Sequence, residues 1–200
     1  MDAQFWDDMY RSADQIMSGN PNGVLVTEVT GLVPGRALDI GCGEGADAIW
    51  LARRGWQVTA TDISHTAVER AAATAPDLSG QVTWTQADLT VTPPPAAAFD
   101  LVSAQYFPLL RRPEHTALRG LLDAVAPGGT LLYVGHDLAV LPPRMPNGIA
   151  PGDFYQPREI AELLGGDWTV LVDEIRPRTA SAPPGTPHTH DTVLRARRLR

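Results

Sequence analysis

The chain has no lysine: all sixteen of its basic residues are arginine. With Ala, Gly and Pro abundant, this reads as a genome-wide compositional bias before it reads as an arginine-built binding surface. There is one cysteine, Cys42, so no intrachain disulfide is possible. No apolar run is long enough to span a bilayer, and the first residues lack the basic and apolar pattern of a secretory leader. No membrane partner is expected, and the cytoplasm is the expected location. A formal net charge of -7 and a pI near 5.1 argue against a surface that neutralises phosphates, so no nucleic-acid partner is expected either. Internal repeats are absent, and 200 residues suit one domain with a sizeable core, as a monomer or homodimer.

What is present centres on residues 36–47, Arg-Ala-Leu-Asp-Ile-Gly-Cys-Gly-Glu-Gly-Ala-Asp. Ala37, Leu38 and Ile40 suit a strand covered on both faces. Gly41, Gly43 and Gly45 leave no side chain where the backbone must bend and approach a ligand. Spacing alone leaves two readings, because Gly41, Gly43 and Ala46 also fit the dinucleotide fingerprint with a pyrophosphate at a helix N-terminus. Charge separates them. Asp39, Glu44 and Asp47 would repel a pyrophosphate but attract a ligand carrying an ammonium and a sulfonium. Cys42 within the turn reads as a small packing residue before a nucleophile.

With Asp39 ahead of Gly41-x-Gly43-x-Gly45, the chain resembles the class I S-adenosylmethionine-dependent methyltransferases over nearly its whole length. The resemblance implies an α/β, Rossmann-like three-layer sandwich. Its seven-stranded sheet would be mostly parallel, in the order 3-2-1-4-5-7-6 with the last strand antiparallel. It also implies S-adenosyl-L-methionine as cofactor, S-adenosyl-L-homocysteine as its product, and methyl transfer to a small-molecule acceptor by in-line displacement. Cofactor contacts would come from Asp39 and the turn Gly41, Cys42, Gly43 and Gly45. Asp62 and Ile63 would serve the ribose, and Asp88 and Leu89 the adenine. Asp62 lies twenty-one residues past Gly41, at the end of a second strand over residues 57–61, where an acid can accept from both ribose hydroxyls. Ser64 then caps the helix over residues 66–75.

Residues 1–34 read as a helical arm ahead of a core at 35–200, with Phe5, Trp6, Met9 and Tyr10 at helical spacing. Trp6-Asp7-x-x-Tyr10 followed by Ser18-Gly19-x-Pro21-Asn22 is similar to the N-terminal lid of small methyltransferases related to the tellurite-resistance and thiopurine enzymes. That similarity implies that Tyr10 reaches the cofactor, that Trp6 and Asn22 face the acceptor, and that the acceptor is heterocyclic or chalcogen-bearing. Those relatives carry a tryptophan where Met17 stands and a histidine where Pro108 stands.

Further along, strands are expected over residues 82–86 and 99–103, a helix over 113–125 stopped by Ala126-Pro127-Gly128-Gly129, and a strand over 130–134. A helix over 157–164 and an antiparallel pair over 168–175 and 192–198 complete the chain. Gln105 and Tyr106 follow a parallel strand, so they should line the methyl-transfer site at the sheet's carboxyl edge. The Pro- and Gly-rich stretches 138–153, with Asp137 just before it and Tyr155 just beyond, and 176–191 read as lids over the substrate. Candidates for a general base are His136, His188 and His190, with Tyr106 beside them and Asp137 or Asp191 as orienting carboxylate. No metal is expected, because His188-x-His190 is a short, common pattern. Two other classes stay open: an NAD-linked oxidoreductase, kept by Gly41, Gly43, Ala46 and Asp62, and a non-catalytic S-adenosylmethionine-binding protein.

Overall fold

Strand β1 (Arg36–Ile40) is buried from Ala37 onward, as a strand covered on both faces must be. In the computed structural model, which describes residues 1–140, 142–144, 148, 150–179 and 189–200, β1 pairs in parallel with β2 (Gln57–Asp62) and β4 (Phe99–Gln105). Strand β2 continues to β3 (Val82–Gln86), and β4 to β5 (Val125–His136), both in parallel. Strand β7 (His190–Arg198) runs antiparallel between β5 and the edge strand β6 (Trp168–Pro177). The resulting order β3-β2-β1-β4-β5-β7-β6 is the expected one.

Helices α1 (Ala3–Arg11) and α2 (Gly23–Val29) precede the sheet, and α3 (Ala46–Ala52), α4 (His65–Thr74), α5 (Thr116–Ala124) and α6 (Pro157–Leu163) connect it. Alternation along the strands sends neighbours to opposite faces. Leu101 and Leu132 join Val24, Leu25 and Leu51 on one side, while Val102 and Leu131 join Leu118, Leu121 and Ile160 on the other. The sheet is thus the middle of three layers, and each fully buried leucine contributes about 2 kcal/mol of apolar transfer free energy.

Several boundaries differ from expectation. Helix α5 begins at Thr116, not at 113, because residues 112–115 first close a turn with the His115 amide on the Arg112 carbonyl (3.0 Å) and His115 in the left-handed region (φ 52°). The Pro-Gly-Gly stop after that helix is absorbed into β5, which starts at Val125 and slips register between Phe99 and Leu101 of its neighbour. A Cβ at Gly129 would lie 2.8 Å from the Ala126 carbonyl oxygen and 3.0 Å from that of Phe99, so only glycine passes there. Strands β4, β6 and β7 each run about two residues further toward the ligand-binding edge than the apolar pattern marks.

Candidate active site

The turn after β1 takes φ of 67°, 53° and 88° at Gly41, Gly43 and Gly45, a region that L side chains enter only under strain. Added Cβ atoms would meet the Phe107 ring at 2.9 Å, the Tyr10 hydroxyl at 2.8 Å, and Trp84 and Ala71 at 2.7 and 2.8 Å respectively. Three aromatic side chains therefore crowd the turn: Phe107 from the loop after β4, Tyr10 from α1, only 3% exposed, and Trp84 from β3. The Cys42 amide donates to Thr61 (2.9 Å), tying the turn to β2. Burial, with Asp39 and Asp62 nearby, pushes the Cys42 thiol well up, so it stays a neutral packing group.

The carboxylates around the turn divide into two sets. Glu44 and Asp47 fasten the arm: Glu44 accepts from the Ile16 and Met17 amides (3.1 and 2.7 Å) and pairs with Arg70 (3.1 Å). Asp47 accepts from the Asn22 amide (2.7 Å) and side chain (2.8 Å). Asp7 on α1 does the same from the other direction, taking the Ser64 hydroxyl (2.6 Å) and the Thr66 amide (3.0 Å) at the start of α4, where Ser64 is the cap. Those hydrogen bonds lower the Asp7 pKa. Glu44 and Asp47 thus have a structural duty that their spacing did not reveal.

Asp39 and Asp62 form the second set. Asp39 is 2% exposed, and its Oδ2 has no hydrogen-bond partner. Burial first, then Asp47 and Asp62, raises its pKa well above the ordinary carboxylate value, with the Ala48 amide offsetting part of this. Asp62 accepts from the Gly43 amide through Oδ2 and from the Ser64 amide through Oδ1, both at 2.9 Å. It therefore braces the turn in addition to any ribose contact, and each oxygen keeps a further acceptor site. Burial raises its pKa as well.

Beyond β4, Gln105 is 8% exposed and donates to Ser103 (3.1 Å), leaving its buried Oε1 without a partner. Tyr106 is held at φ 56° by its amide on the Val134 carbonyl (2.7 Å). Its hydroxyl donates to Asp191 Oδ1 (2.8 Å), and its ring stacks on His136 at 4.4 Å and 22°. Arg178, just past β6, lies with Cζ 5.0 Å from the Tyr106 ring centroid, Nε 3.7 Å from Asp191 and Nη1 3.4 Å from His136 Nδ1. His136 and Asp191 are register partners, which puts them on one face. His190, one residue earlier, alternates to the opposite face and meets Thr189 (3.0 Å). The structure therefore brings together Tyr106, His136 and Asp191 but not His190, and His188 lies outside the described residues.

Other expected site residues are distributed as follows. Asp88 accepts from the Thr90 amide (2.9 Å) and hydroxyl in a tight turn, with buried Leu89 next to it. Ile63 is half-buried, its carbonyl taking the Gln86 side chain (3.1 Å). Trp6 packs edge-on to Phe5, and Asp137 accepts from the Ala139 amide (3.0 Å). Tyr155, expected near the substrate, is 4% exposed in the core with its hydroxyl against His115. Arg178, Asp7 and Phe107 were not singled out by sequence. Register of the β6–β7 pair would have found the first; Asp7 stood in the lid motif without a role, and nothing local marks Phe107. Among the described residues no group of three His, Cys, Asp or Glu could hold a metal ion, and no helix is long and apolar enough to cross a membrane.

Residues 37–129 match the family model described as a methyltransferase domain. A protein named uncharacterised methyltransferase in Mycobacterium tuberculosis is 37% identical over 134 residues, 66% of this chain and 64% of its own length. The 2-heptyl-1-hydroxyquinolin-4(1H)-one methyltransferase of Mycobacteroides abscessus is 29% identical over 150 residues, 74% of this chain and 63% of that one. The chain thus spans slightly less than two thirds of these curated relatives. Among solved structures, the N-methyltransferase NodS from Bradyrhizobium japonicum in complex with S-adenosyl-L-homocysteine superimposes with a TM-score of 0.68 at 20% identity. That superposition covers 88% of this chain and 85% of NodS. None of these relatives ties the chain to the tellurite-resistance or thiopurine enzymes in particular. Residues 37–129 are thus similar to methyltransferase domains, and the strand order is that of the Rossmann-like fold those proteins share.

Proposed function

We propose that the chain is an S-adenosylmethionine-dependent methyltransferase acting on a small, heterocyclic acceptor, with residues 1–34 serving as a lid over a single catalytic domain. The observation that carries this reading is Asp39. A buried carboxylate with one oxygen unpartnered among the described residues, beside two further acids and under the glycine turn, is a place that lacks a positive charge. A pyrophosphate would add to the repulsion, whereas a cationic ligand removes it. The residues present fit that cofactor. The turn at Gly41, Gly43 and Gly45, with Asp39 below it, would hold the amino-acid end, Asp62 the ribose, Asp88 and Leu89 the base, and Tyr10 would close over it.

Bound there, the cofactor would supply an electrophilic methyl group already activated by its sulfonium. The chain's own residues then have three tasks: binding, alignment and exclusion of water. Tyr10 and Phe107 roof the turn, and Gln105 presents its unpartnered oxygen at the adjoining strand end. Tyr106 is not suited to take a proton, because burial and Asp191 push its phenol pKa upward and its hydroxyl is already donated. Support for a heterocyclic acceptor comes from the quinolone enzyme among the relatives.

The test is thermal unfolding with added ligand. S-adenosyl-L-homocysteine at a hundredfold excess over its dissociation constant should stabilise the protein by about 2.7 kcal/mol. Stabilisation by NAD instead would sink the proposal.

A further inference from the structure

The protein carries a net charge of -7, yet one face of its sheet concentrates arginine. Register places Arg176 opposite Asp191 and Arg195 opposite Leu132, on the face that Asp191 shares with His136. Arg176 and Arg195 both reach Glu28 of α2, at 2.7 and 3.4 Å. Arg178 reaches Asp191 at 3.7 Å. Three guanidinium groups therefore face Glu28 and Asp191, and Arg176 also pairs with Glu174 at 3.1 Å. Their Nε atoms are buried, and among the described residues none has a hydrogen-bond acceptor; the short Arg176–Glu28 contact is an ion pair off the hydrogen-bond line. Buried donors without acceptors are costly and rare, and here they cluster where a small molecule would enter.

Arg178 is the arginine at the mouth. Its side chain is 16% exposed, between Tyr106 at the end of β4 and His136 at the end of β5, both half-buried. The groups facing it are Tyr106, His136 and Asp191, with Arg176 and Glu28 behind. Guanidinium only donates, so in the Arg178 Nη1–His136 Nδ1 contact at 3.4 Å the imidazole nitrogen is the acceptor. The Tyr106 hydroxyl is donated to Asp191, and the cluster has donors in surplus.

We propose that Arg178, with Tyr106 and His136, forms a subsite for the anionic oxygen of an aromatic acceptor, a phenolate-type or carboxylate oxygen, whose ring lies along the Tyr106–His136 stack. This rests on the methyltransferase reading for its purpose, but not for its test. An acceptor that arrives ionised needs no base: the oxygen lone pair forms the new bond to the methyl carbon, the carbon–sulfur bond breaks, and sulfur keeps that electron pair as its positive charge disappears.

The experiment uses the full chain with 4-nitrophenol, benzoate and neutral 4-nitroanisole as probes, with and without S-adenosyl-L-homocysteine. The bound nitrophenol should ionise at a lower pH than in free solution, read from its absorbance. Benzoate should compete with it, and nitroanisole should bind at least about tenfold more weakly. Displacement by benzoate but no ionisation of nitrophenol would identify carboxylates as the source of the oxygen. Arg178→Gln should lose about tenfold in binding and the ionisation shift while keeping its stabilisation by S-adenosyl-L-homocysteine, and Arg178→Lys should fall between. Equal binding of nitroanisole and nitrophenolate, or full binding by Arg178→Gln, overturns the subsite. Should Arg178→Gln not fold, the wild-type ionisation shift alone decides. Failure of S-adenosyl-L-homocysteine to stabilise the wild type counts against the methyltransferase reading and leaves the anion result standing.

Discussion

At the scale of single residues, Asp39 sets two opposing demands, because what weakens the ligand-free protein is what would attract a cation. Asp39→Asn removes the buried charge and should raise ligand-free stability by about 1 kcal/mol, while reducing the stabilisation that S-adenosyl-L-homocysteine brings. The pH dependence follows with a definite sign. Asp39, Asp47 and Asp62 have raised folded pKa values, so between the ordinary carboxylate value near 4 and those raised values the native state binds more protons than the unfolded one. Ligand-free stability should therefore fall as pH rises through that window, and Asp39→Asn should flatten the slope in a melting-temperature series. Asp7 works in the opposite sense: its contribution is present above its unfolded value and is lost as pH falls through its depressed one. Gly43→Ala should cost about 1–2 kcal/mol, part from φ 53° and part from the Tyr10 hydroxyl. Tyr10→Phe in the same chain should recover only the second part.

Among the elements, the arm is held by side chains at three places: Asp7 on α4, Glu44 under residues 16 and 17, and Asp47 on Asn22. Asn22→Ala removes one of the donors to a buried carboxylate, so trypsin should cleave at Arg11 faster than in wild type, and S-adenosyl-L-homocysteine should slow cleavage in both. Helix α2 is fixed by charge as well as by Val24 and Leu25. Glu28→Ala would leave Arg176 and Arg195 without their shared partner and should cost about 2 kcal/mol in urea unfolding, since both arginines keep some contact with water. The turn was legible because it rests on local signals, an apolar run, three glycines and an acid about twenty residues on, and the sheet order followed only from the family those signals resemble. The duties of Glu44 and Asp47 were not, because they depend on where residues 7 to 22 fold back, which no periodicity encodes. Arg178 was hidden for a different reason. One arginine among sixteen carries no mark until the β6–β7 register puts it beside Tyr106 and His136.

Across the whole molecule, the two halves of the site have different mechanical origins. The glycine turn and Asp62 sit on β1 and β2 in the middle of the sheet, each strand paired on both sides. The arginine-rich face straddles the seam between β5 and β7, and β6 touches the rest of the sheet chiefly through β7. Two members of that cluster, Tyr106 and His136, stay with the parallel core, while Arg178 and Asp191 travel with the terminal hairpin. Hydrogen exchange should accordingly be faster in β6 than in β1 or β2, as befits an edge joined along a single line. The hairpin is in this respect a cartridge: exchanged between relatives along its seam with β5, it would carry the proposed acceptor subsite into a scaffold whose glycine turn is left as it was.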